Sequence, residues 1–83
     1  MPATERSERE RVGALIGSRV LRELGEPRGL LQVQVRNVWA SHYRVNVLTG
    51  LNSGSARVAH SFFIVADGNG NILESTPALT KTY

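Results

Sequence analysis

The stretch Arg57 to Ala66, RVAHSFFIVA, reads as a β-strand that is apolar on both faces. Successive side chains of a strand point to opposite sides. One set here is Val58, His60, Phe62, Ile64 and Ala66; the other is Ala59, Ser61, Phe63, Val65 and Asp67. Whichever way the strand is turned, a Phe and a β-branched neighbour face each side. An ordinary half-buried strand has one wet side. In a chain of 83 residues, little remains to cover the second one.

The first cover is a helix. Ser7 followed by Glu10 fits a capping box, and the spacing predicts a helix over 8–24 that stops at Gly25, with Pro27 enforcing the end. Residues 1–7 are expected to be a flexible lead-in. Gly13, Ile16, Gly17, Val20 and Leu24 recur at the spacing that puts them on one stripe. A glycine inside a helix costs about 0.8–1 kcal/mol relative to Ala, which is tolerable where the backbone must approach something bulky. Gly13 and Gly17 are therefore expected to mark close packing, with sheet side chains as the first partner and a second helix as the alternative.

From residue 30 the apolar period becomes two. Leu31, Val33 and Val35 alternate with Gln32, Gln34 and Arg36, then Tyr43, Val45 and Val47 alternate with His42, Arg44 and Asn46. The two runs form an antiparallel hairpin around a turn at Trp39-Ala40-Ser41. TGLNSGSA, residues 49–56, is a loop. Asn69-Gly70 signals a type I′ turn into a short fourth strand over 71–75. The last stretch, LTKTY, reads as an edge strand or as a tail. The order is α-β-β-β-β, and its lack of strand–helix alternation predicts an α+β fold: one helix on one face of an antiparallel meander of about four strands.

Composition narrows the function. Eighty-three residues make a single domain of thin core. Cysteine is absent, which removes disulfides, thiolate metal sites and thiol nucleophiles. The N-terminal stretch carries no apolar signal region, and the longest apolar run is Phe62 to Ala66, far short of the ~20 residues that span a bilayer. A cytoplasmic protein without a membrane partner is expected. The net charge of +3 makes no strong field, and nine of the ten basic residues are Arg.

No chemistry-bearing constellation emerges. Asp67, Asn69 and Asn71 imitate the opening of a calcium loop, but Ile72 and Ala78 stand where the loop needs Gly and Glu. Ser41-His42 and His60-Ser61 are chain neighbours on strands, so each pair points apart. No catalytic group, metal or cofactor is expected. The side away from the helix instead collects Arg36, His42, Arg44 and one of Phe62 and Phe63, with Tyr83 as a candidate neighbour. These residues predict a contact surface for a homo-oligomer or another protein, and second to that for single-stranded nucleic acid.

Overall fold

A computed structural model describes residues 2–83, the side chains of residues 2–7 and 53 excepted; Met1 lies outside it. Helix α1 (Pro2–Leu24) is followed by strands β1 (Leu30–Trp39), β2 (His42–Thr49), β3 (Arg57–Ala66) and β4 (Ile72–Thr76), with a 3₁₀ turn at Ser53–Ser55. All four strands form one antiparallel sheet in the order β1-β2-β3-β4. This is the expected α-β-β-β-β arrangement. No helix among the described residues is long and apolar enough to cross a membrane.

The helix begins six residues earlier than its capping signal suggests, so the segment expected to lead into it is helical from residue 2. Proline suits the first helical position, where its missing N–H is no loss, and Ala3, Glu5 and Arg6 are good helix formers. The Ser7–Glu10 pair therefore sits inside the helix and starts nothing. The helix ends where predicted. Gly25 has a positive φ of 87°, and its N–H donates to the Leu21 carbonyl at 2.8 Å, the left-handed exit that glycine favours. The C-terminal segment closes this end: the Thr82 and Tyr83 N–H groups donate to the Leu24 carbonyl at 2.8 and 3.0 Å. It is a tail across the helix end and not an edge strand.

Between helix and sheet lies one core. Val12, Ile16, Val20 and Leu24 meet Tyr43, Val45 and Val47 of β2 and Phe62, Ile64 and Ala66 of β3, all buried. The glycines set the depth of the contact. A Cβ on Gly17 would stand 3.4 Å from Val35 and 3.6 Å from Val33, and one on Gly13 would stand 3.8 Å from Val35. Both glycines thus face β1, the sheet contact expected of them.

Bulges interrupt the ladders. Val47 pairs with His60 but Leu48 pairs with Val58, leaving Ala59 unmatched. The extra residue moves Val58 away from the Phe62 set, opposite Leu48. The β3–β4 hairpin also differs from expectation. Only Gly70 of the Asn69-Gly70 pair has positive φ, and its N–H donates to the Asp67 carbonyl at 3.0 Å. The turn thus runs over Gly68-Asn69 with Gly70 as a left-handed bulge residue, a three-residue loop and not type I′.

The glycine contacts predict opposite outcomes for neighbouring substitutions. Gly13→Ala adds a methyl at ordinary contact distance and raises stability by about 0.5–1 kcal/mol through helix propensity. Gly17→Leu drives a branched side chain into Val33 and Val35 and lowers it by about 1–3 kcal/mol. Urea midpoints of both variants against the parent check the pair.

Candidate interaction surface

The face of the sheet opposite the helix is assembled row by row from the strand register. Arg36 of β1, Arg44 of β2, Phe63 of β3 and Thr76 of β4 form one row; Gln34, Asn46 and Ser61 form the next. Beyond these lie Gln32, Leu48 and Val58 on one side, and His42, Val65 and Glu74 on the other. Trp39 stands beside His42 at the end of the first hairpin.

Exposure decides which Phe belongs here. Phe63 is 52% exposed, whereas Phe62 is 4% exposed and is a core residue. Trp39 at 61% and Val58 at 55% join Phe63 as large apolar groups open to solvent, with Val65 half-buried. Phe62 therefore drops out of the expected surface. So does Tyr83, because its hydroxyl shares a 2.7 Å hydrogen bond with His60 Nε2 and its ring meets that imidazole edge-on. His60 pairs with Val47 and stacks parallel to Phe62, which puts it and Tyr83 on the helix side. The C-terminal segment thus leaves the outer face bare.

Polar contacts hold the surface in shape. The Arg44 guanidinium lies 4.2 Å above the Phe63 ring centroid, a cation–π pair. Its Nη1 donates to Ser61 Oγ at 3.3 Å, and Ser61 Oγ donates to Asn46 Oδ1 at 2.7 Å. Trp39 and His42 stack with centroids 3.9 Å apart and planes 10° from parallel. The Asn37 side-chain amide clamps this hairpin end by donating to the carbonyls of Ala40 and His42. Arg36 and Arg44 stand directly opposite each other, and like charges so placed repel.

The same geometry keeps the reactive groups apart. His42 lies on the outer face and His60 on the inner, so the two imidazoles cannot share an ion or a substrate. Ser61 Oγ is engaged by Asn46 and Arg44, with no imidazole as base. Among the described residues no group of three or more His, Asp or Glu side chains gathers as for a metal. The 49–56 loop turns its amides inward: Asn52 Oδ1 accepts from the Gly54 and Ser55 N–H groups, and Ser55 Oγ accepts from those of Leu51 and Asn52.

Asp67 is likewise spent on its own turn. Its carboxylate accepts from the Asn71 side-chain amide at 3.0 Å, the Asn71 N–H at 3.0 Å and the Asn69 N–H at 2.9 Å. Those bonds, Asn71's first, and the positive charge of Arg19 hold its carboxyl below the ordinary aspartate value.

Sequence reading missed Trp39, Leu48 and Val58 as members of this surface. The sequence of Trp39-Ala40-Ser41 reads as a turn, whereas Trp39 ends β1, and the Ala59 bulge that reorients Val58 leaves no mark in the alternation.

A depressed folded-state pKa stabilises the fold above the unfolded aspartate value, about 3.9, and the effect is lost as pH falls through the folded value. Asp67→Asn is expected to flatten the fall in urea midpoint between pH 5 and pH 2.5. A fall as steep as the parent's would remove Asp67 from the acid transition.

No protein family, curated protein or solved structure matches the chain, so the reading of this surface rests on its own geometry.

Proposed function

We propose that the chain is a small non-enzymatic interaction module that works through the outer face of its sheet, with a second copy of itself as the partner. The observation that carries this reading is the exposure of Phe63, Trp39 and Val58 on a face that no segment of the described chain covers. Completing the burial of a half-exposed Phe or Val is worth about 1 kcal/mol each. Gathered on one face, such groups mark contact surfaces.

Size and charge support a copy as the occupant. Four strands about 4.8 Å apart, averaging about 28 Å in length, present about 500 Å² of plane. Side-chain relief brings this near the roughly 800 Å² per partner of a stable interface. The basic pair Arg36 and Arg44 occupies the β1–β2 half, while Glu74 lies on β4. A two-fold axis along the strands between β2 and β3 lays β1 over the partner's β4. That arrangement turns each basic half toward a glutamate and sets Arg44 against the partner's Phe63.

Single-stranded nucleic acid is the second reading of the same face, supported by the two opposed guanidiniums. The stacking platforms weigh against it. The Phe63 ring already lies under Arg44 and the Trp39 ring already stacks on His42, so a base would have to displace a partner at each.

Sedimentation equilibrium tests the proposal. The average mass is expected to rise above the 9.1 kDa of one chain with concentration, and Phe63→Glu is expected to weaken association at least tenfold with unchanged helical circular dichroism. An unchanged mass for Phe63→Glu overturns the reading. Mixed oligonucleotides at two salt concentrations supply the other arm. Binding that weakens steeply with salt and vanishes in Arg36→Ala/Arg44→Ala would install nucleic acid as the ligand.

A further inference from the structure

The two edges of the sheet are treated differently. β4 is short, Ile72–Thr76, has a bulge at Leu73, carries Glu74 and runs into Pro77. Shortness, bulges, charge and proline are the devices that blunt an edge against pairing. β1 has almost none of them. It is ten residues long, Leu30–Trp39, contains no Pro or Lys and has Arg36 as its single charge. Its bulges lie near its ends, at Leu31 and Val38, so Gln32 to Asn37 run as one regular stretch. Among the described residues, no strand lies beside it on the far side from β2.

The flank of that edge is shaped for company. Val33 and Val35 face the helix but stay half-buried, because Gly13 and Gly17 cover them without a side chain. An open groove runs between helix and edge, apolar along Gly13, Ala14, Val33, Val35 and Tyr43 and bordered by Arg9, Glu10 and Asn37. Leu21, two helical turns beyond Ala14 on the same flank, is half-buried.

We infer that β1 pairs antiparallel with β1 of a second copy, joining two sheets into one of eight strands. The register follows from the side chains. With Gln34 opposite the partner's Gln34, both Val33 and Val35 of each chain face a valine on the inner side. On the outer side Arg36 meets the partner's Gln32, and the two amides meet at the axis. A shift of two residues toward the C-terminus of the pair sets Arg36 against the partner's Arg36, a like-charge pair. A one-residue recentring on Val33 or Val35 leaves one valine of each chain without a valine opposite. The pairing uses backbone groups of the edge and leaves the outer face untouched, so it does not depend on the function proposed above. It would double that face into one continuous surface.

The absence of native cysteine allows a direct test in the Phe63→Glu background, where face-to-face association is suppressed. In Gln34→Cys the two thiols stand directly across the seam, with Cα atoms about 4.5–5.5 Å apart, inside the range a disulfide accepts. In Gln32→Cys the like residues are about 13 Å apart along the strands. Under mild oxidation, Gln34→Cys is expected to form a covalent dimer at least tenfold faster than Gln32→Cys, with native circular dichroism in both. Equal rates, or no dimer from either, overturn the pairing. A Phe63→Glu protein that still cross-links at position 34 separates this result from any failure of the face.

Discussion

The structure depends on the contact between a single helix and one side of a four-stranded sheet. Gly13 and Gly17 let the helix backbone settle onto Val33 and Val35, while Val12, Ile16, Val20 and Leu24 fill the space over β2 and β3. A helix about 10 Å across can shield only one side of a sheet. Everything apolar on the other side is left to solvent or to another molecule. The C-terminal tail is held on the helix side by Leu24 and His60 and does not cross over. One contact therefore fixes both what is buried and what is left open.

Alternation and period made most of this fold legible. The change from a 3–4 residue spacing to a spacing of two at residue 30 marks the passage from helix to sheet, and Tyr43, Val45 and Val47 lie on the buried side as their pattern requires. The doubly apolar character of β3 was also readable, and the bare face follows from it. Local devices were not. A bulge adds one residue and changes no residue type, so alternation alone groups Val58 with Phe62, whereas Val58 pairs with Leu48 on the outer face. The choice between Phe62 and Phe63 depends on which side the helix takes, and the strand itself does not specify that. A cap signal at Ser7 lost to the helix-forming run before it. Nothing in the residue pattern shows that the Tyr83 hydroxyl is committed to His60 and not to the outer face.

Many polar residues of the outer face form a connected framework. Arg44 is held by Phe63 and Ser61, Ser61 by Asn46, and the Trp39–His42 stack by the Asn37 clamp. Preordered side chains lower the entropic cost of docking, and a guanidinium fixed over an aromatic ring presents a flat, amphipathic patch of the kind enriched at protein contacts. The long, regular β1 and the short, bulged β4 make the two edges of this sheet unlike.

The central claim, that one Phe is sealed under the helix and its neighbour is bare on the opposite side, is open to a direct measurement. The chain contains two phenylalanines, so fluorophenylalanine labelling gives two fluorine resonances. With a soluble paramagnetic probe in dilute solution, the Phe63 resonance should broaden strongly and that of Phe62 should not, and the Phe63 effect should fade as protein concentration rises. Two resonances broadened alike at high dilution would contradict the account.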